Sequence, residues 1–204
     1  MSGAPGIILD RDGTLIDVVR DEETGVISVA FHPSHIRLLP GVINGLLALK
    51  REGFVFAIAT NQPGPAKGTF SVDAVQRTHH ALLSALAEHG IRVAAIEVCW
   101  HHPTGGPDGV QEFIRDCDCR KPKPGLLKKA IEDAELDPLS TWMIGDSPGD
   151  VEAARGAGIR SALVFSEKRC ELCPLKGGPA IAPDVQAATF DEVARKILTL
   201  PRVV

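Results

Sequence analysis

No run of apolar residues in this chain is long enough to cross a bilayer, and no excess of positive charge marks a face for nucleic acid. The first absence excludes a helical membrane span, which needs about 20 consecutive apolar residues. The second rests on a formal net charge of -4, which gives no general pull toward nucleic acid or an anionic lipid surface. The opening Met1-Ser2-Gly3-Ala4-Pro5-Gly6 lacks both a basic start and a long apolar core, so a cytoplasmic location is expected rather than secretion. Cysteine is sparse, five in 204 residues, and in a cytosolic chain that usage points to metal binding or reactive thiols before disulfides. Internal repeats and low-complexity tracts are missing too. What is there is 44% apolar residues, enough for a sizeable core, in a length that suits one domain over residues 1–204 and a monomer.

Short apolar runs alternate with helical patterns. Ile7-Ile8-Leu9, Phe54 to Ala59, Ala95 to Cys99, Thr141 to Ile144 and Ser161 to Phe165 read as buried strands. Between them, Gly41 to Glu52, Ser71 to His89, Gly125 to Glu135, a stretch from Asp150 to Gly156 or Gly158, and Phe190 to Leu200 carry helical spacing with stop signals. Strands alternating with helices imply an α/β fold, with a parallel central sheet and helices on both faces. Pro63-Gly64-Pro65 should interrupt regular structure, and residues 18–40 form an excursion suited to a flap, with a short strand at Val26 to Ala30. His79, His80 and His89 read as surface or core histidines, and Trp100 and Trp142 as core packing. Cys170-Glu171-Leu172-Cys173 lacks partners as half of a zinc site and lacks the strand-to-helix setting of a redox pair, and reads as a loop over the site entrance in the segment from Lys168 to Pro183.

The polar residues fall where strands end. Asp10, Thr60 and Asp146 each follow a buried apolar run, so one edge of the sheet gathers them, and Lys121 can reach the same edge. The pair Asp10 and Asp12 can share a divalent cation, one attacking and the other passing a proton, whereas an Asx turn is the plain alternative for such an Asp-Gly segment. Acid pair, hydroxyl, ammonium and acid are the inventory for phosphoryl transfer, with Thr60 and Lys121 holding the non-bridging oxygens. A second constellation is Cys99-Trp100-His101 with Cys117-Asp118-Cys119. Three thiolates and one imidazole at this spacing can close a structural, four-ligand zinc site on the loop from 99 to 124, His102 being a possible substitute for His101.

Asp10-x-Asp12-Gly13-Thr14, Thr60-Asn61, Lys121-Pro122 and Gly145-Asp146-x-x-x-Asp150 resemble, in order, the four signature motifs of the haloacid-dehalogenase (HAD) superfamily phosphatases. The resemblance spans roughly Ile7 to Phe165. It implies a HAD-like, Rossmann-like three-layer α/β/α fold without a large cap domain. Asp10 then resembles the nucleophile and Asp12 the general acid and base. Mg2+ is expected on the Asp10 side chain, the Asp12 backbone carbonyl and Asp146, with Asp150 orienting this shell or capping its helix. Asn61, Gln62, Arg120 and Ser147 are the expected substrate contacts. The zinc motif, Cys99-x-His101-His102-Pro103 followed by Cys117-x-Cys119-Arg120-Lys121-Pro122, narrows the resemblance to the D-glycero-D-manno-heptose-1,7-bisphosphate 7-phosphatase group, with the histidinol-phosphate phosphatases as near kin. It implies a small phosphorylated metabolite as partner, and neither nucleic acid nor membrane. A catalytically silent zinc-stapled binding protein is the alternative of another class. The chain departs from the group's pattern in a longer 18–40 segment and in Pro63-Gly64-Pro65 where Ser-Gly is usual.

Overall fold

The computed structural model describes residues 3–20, 23, 25–165 and 182–201. The strand β1 (Gly6–Leu9) lies in the middle of a six-stranded sheet. Around it stand β4 (Val55–Asn61), β5 (Val93–Cys99), β6 (Trp142–Gly145), β7 (Arg160–Val164) and β8 (Val185–Ala187), in the order β5-β4-β1-β6-β7-β8. Every neighbouring pair is parallel. The chain steps outward from β1 to β5, then returns to β6 on the other side of β1. That reversal opens a crevice at the carboxyl ends of β1 and β6, the usual ligand position in open α/β sheets.

Both faces of the sheet are covered, so the strands read as continuous apolar runs. Ile7 and Leu9 face a layer with Leu46, Leu49, Leu82 and Phe190, drawn from α1 (Val42–Arg51), α3 (Val72–Glu88) and α6 (Phe190–Thr199). Ile8 points the other way, into a layer with Leu126, Leu127, Ala153 and Ala154 from α4 (Gly125–Asp133) and α5 (Pro148–Ala157). Ile7, Ile8 and Leu9 have no exposed surface, and burying each such side chain contributes roughly 1.5–3 kcal/mol. The strand that carries the site is therefore held rigidly from both sides. Gly45 lets α1 approach α6 closely, since a Cβ there would meet the Phe190 ring at 2.6 Å. Among the described residues no helix is long and apolar enough to cross a membrane.

Several elements differ from the sequence reading. A sixth strand, β8, continues the sheet beyond β7. Gly64–Lys67 forms a single helical turn, α2, where Pro63-Gly64-Pro65 was expected to break regular structure; proline is tolerated in a first turn, where no N–H is needed. Residues 18–40 hold an antiparallel hairpin of β2 (Val19–Arg20) and β3 (Ile27–Ser28), followed by a 3-10 turn at Pro33–His35. Its base is closed by the Asp17 N–H donating to Arg37 O at 2.9 Å and by an Ile16–Leu38 bridge. Trp142 is buried under the Arg160 guanidinium, 4.2 Å above its ring, but Trp100 is only half-buried and leans on Phe113. The Cys170/Cys173 pair lies outside the described residues.

Candidate active site

β1 ends on Asp10, whose N–H donates to Ile144 O of β6 at 2.9 Å. The chain then turns sharply: Leu15 and Ile16 N–H both donate to Arg11 O at 3.0 Å, and Gly13 takes φ +88. Only glycine suits that position, since a Cβ would lie 2.1 Å from an oxygen of the Asp146 carboxylate. This tight turn brings the end of β1 against the end of β6. Ligand oxygens of Asp10, Asp146 and Asp150 all lie within 4.8 Å of one another.

Lys121 enters from the loop before α4, next to a cis Lys121–Pro122 peptide. Its Nζ donates to Asp10 Oδ1 at 2.7 Å, to Asp150 Oδ1 at 2.6 Å and to Ala59 O at 2.8 Å. Asn61 fixes the Lys121 backbone reciprocally: its Oδ1 accepts from Lys121 N at 3.1 Å and its Nδ2 donates to Lys121 O at 3.0 Å. Asp150 has two duties. While one oxygen holds Lys121, the other caps α5 by accepting from Ser147 N at 3.1 Å and from Ser147 Oγ at 2.6 Å. Burial pushes the Asp10 carboxyl up to about 6, with Lys121 pulling against it and Asp150 adding to the rise. Burial likewise opposes charge on Lys121, yet Asp10 and Asp150 more than offset it, so the ammonium is held above its ordinary range.

Asp10, Asp12, Thr60, Lys121 and Ser147 border a cleft of about 160 Å³. That is below the roughly 300–1,000 Å³ of a pocket enclosing a whole small ligand, and it suits a phosphoryl end with the rest of the molecule at the open rim. Two larger hollows, near 490 and 610 Å³, lie beside Leu139 and Arg160 and beside His80 and Trp100, and neither gathers comparable chemistry. In formal charge, Asp10, Asp146 and Asp150 against Lys121 leave two negative charges at the cleft, Asp12 being paired with Arg11. Hard carboxylate oxygens in that number suit a divalent cation such as Mg2+.

The sequence reading expected the acids at one edge of the sheet with Lys121 in reach, and from three separate segments the fold brings Asp10, Lys121, Asp146 and Asp150 together. Thr60 is buried and its Oγ1 accepts from Gln62 Nε2 at 2.9 Å. Gln62, expected at the substrate, is fully buried and also donates to Asp12 Oδ2 at 2.8 Å. Half-buried Arg120 donates to His101 O at 3.2 Å. Arg11 was not singled out by sequence, yet it is fully buried and grips Asp12. Nothing in an Asp-x-Asp motif marks its middle residue.

The second cluster lies where β5 runs into the loop before α4. The Cys99, Cys117 and Cys119 sulfurs are 3.2 to 3.7 Å apart, and His101 Nδ1 stands 3.2 Å from Cys119 Sγ and 3.8 Å from Cys99 Sγ. Tetrahedral zinc with ordinary bond lengths sets sulfur–sulfur edges of about 3.8 Å and sulfur–nitrogen edges of about 3.5 Å, so the four atoms stand close to that figure. The Arg115 guanidinium stands 2.9 Å from Nε2 of His101, and Nδ1 faces the sulfurs. Burial, with the Cys119 sulfur beside it, pushes the Cys99 thiol up. A metal reverses that cost by taking the thiolate. His102, the possible substitute, instead uses its ring to accept from Gly105 N at 3.1 Å.

A family model described as HAD-hydrolase-like matches residues 118–193. The D-glycero-beta-D-manno-heptose-1,7-bisphosphate 7-phosphatase of Haemophilus influenzae is 36% identical over 200 residues, covering 97% of this chain and 95% of that one. The enzyme of the same name from Pseudomonas aeruginosa is 34% identical over 183 residues, 89% of this chain and 93% of that one. The crystal structure of D,D-heptose 1,7-bisphosphate phosphatase from B. bronchiseptica, complexed with magnesium and phosphate, superposes with a TM-score of 0.73. It is 30% identical and covers 97% of this chain and 98% of that chain.

Proposed function

The chain belongs to the HAD phosphatases, with heptose-bisphosphate phosphatases among its relatives, and from that membership we propose that it removes the 7-phosphate of D-glycero-D-manno-heptose 1,7-bisphosphate through an aspartyl-phosphate. The observation that carries this reading is the union of three carboxylates and a buried ammonium at the carboxyl edge of the sheet.

Asp10 supplies the attacking oxygen. Its bond to phosphorus forms as the bond to the sugar oxygen breaks, and Asp12 gives that oxygen a proton. In the second half Asp12 takes a proton from water, and the resulting hydroxide displaces phosphate from Asp10. Lys121 and Thr60 hold the non-bridging oxygens as charge moves onto them. Mg2+, held by Asp10, Asp146 and the Asp12 carbonyl, would offset the repulsion between a carboxylate and an anionic phosphate. Asp150 and Asn61 keep the ammonium and the Lys121 backbone in place. Zn2+ on Cys99, His101, Cys117 and Cys119 would fix the loop that delivers Arg120 and Lys121, with Arg120 presenting donors to the second phosphate. The 18–40 hairpin serves as a flap over the cleft, where Val29 already borders it.

The test is Asp10→Asn assayed with magnesium on the heptose bisphosphate and, for comparison, on histidinol phosphate. Phosphate release from the bisphosphate should fall at least about a thousandfold while the far-UV spectrum stays that of the folded chain. Retained turnover would overturn the nucleophile assignment. Wild-type kcat/KM on histidinol phosphate equal to that on the bisphosphate would overturn the choice of substrate.

A further inference from the structure

The carboxylate of Asp12 is held more completely than catalysis by a free acid would need. Arg11 Nε donates to its Oδ2 at 2.8 Å and Arg11 Nη2 reaches Oδ1 at 3.3 Å. Gln62 Nε2 donates to Oδ2 at 2.8 Å, and the Ala30 N–H donates to Oδ1 at 2.8 Å. Arg11 Nη2 donates also to Ala30 O at 2.6 Å, so guanidinium, carboxylate and the backbone just past β3 close a ring of hydrogen bonds. Arg11, Gln62 and Ala30 have no exposed surface.

An arginine cannot shed its charge, and burying one is costly unless its partner geometry is good. Here the partner is the adjacent residue, and side chains at i and i+1 ordinarily diverge. An ionised carboxylate offers about four lone-pair sites. Three are taken by donors at 2.8 Å, and the fourth by a contact at 3.3 Å, beyond the usual N–H···O range. One site is therefore weakly held, and one transferable proton is what an acid/base residue requires.

We propose that Arg11, with Gln62 opposite it and Ala30 closing the ring, is the positioning residue that orients Asp12 for proton transfer to the leaving sugar oxygen. Arg11 acts only through Asp12, holding the carboxyl plane so that the weakly held site is the one that exchanges a proton. This rests on the phosphatase reading above.

Leaving-group chemistry separates this role from mere support of the core. A sugar alkoxide must be protonated as it leaves, whereas p-nitrophenolate departs without help. Arg11→Met should lower kcat/KM on the sugar phosphate at least about tenfold more than on p-nitrophenyl phosphate, within the 10²–10⁴ that positioned proton transfer supplies. Arg11→Lys, which keeps the charge and a donor, should recover part of that difference. Gln62→Met, which removes a donor from the other side, should give the same selective loss if the Arg11 variants do not fold. Equal losses on both esters, or none, would overturn the proposal. Wild-type protein inactive on both esters would instead sink the phosphatase reading itself.

Discussion

His79 sits on the buried side of α3 with only 8% of its surface exposed. Burial, aided by the Arg11 guanidinium, lowers its pKa to about 3. The folded protein thus keeps His79 neutral where an unfolded chain, with an ordinary value of 6.5, takes up a proton. Its contribution is whole above pH 6.5 and is lost as the pH falls from there toward 3, at up to about 1.4 kcal/mol per pH unit. Between pH 7 and pH 5 the wild type should lose roughly 2 kcal/mol from this group, and His79→Gln should lose that much less. Urea unfolding of both proteins at the two pH values measures it; parallel losses would show that His79 is protonated in the fold. The residue pattern labelled His79 only as surface or core, because a helix period says which face a side chain takes and not which charge faces it.

At the scale of elements, the loop between β5 and α4 is the informative one. It connects the cysteine cluster to Lys121 through Cys119 and Arg120, adjacent in sequence, and it is pinned to α2 by Gly106 N donating to Ala66 O at 3.1 Å and Val110 N to Pro65 O at 2.9 Å. Few of its side chains are buried, so metal binding, not a core, should supply its folding free energy. Metal analysis should find about one zinc per chain. Cys117→Ser should lower the thermal midpoint by several degrees and cut phosphate turnover about tenfold or more, the two moving together. Turnover lost with the midpoint unchanged would refute a structural role. The cluster of three cysteines and His101 was legible from spacing, since C-x-H and C-x-C fix how far each pair can spread. That α2 supports the loop was not, because Pro63-Gly64-Pro65 reads locally as an interruption.

Across the whole molecule, the core and the candidate catalytic acids depend on one strand, β1. Ile8→Ala should destabilise by about 2–5 kcal/mol, measured by denaturant titration. KM for the sugar phosphate should hold wherever the chain is still folded, since Asp10 and Asp12 are placed by backbone that both layers clamp; a shifted KM would show that the strand end moves with its core. The alternation of buried strands and amphipathic helices was determined by sequence alone, as were the strand-end acids and the zinc spacing. These are local quantities: a short apolar run shows its burial within a few residues, and a motif shows its chemistry over the same span. Tertiary structure decided what depends on distant partners. It set the edge strand β8, three residues too short to show a period, and the grip of Lys121 on Asp10 across 111 positions. It also set the Ala30 contact to Asp12 across 18 and the burial of Arg11 beside the acid it holds. Chain order says nothing of such pairings, because the free energy that selects them arises only when the packed sheet removes both partners from water.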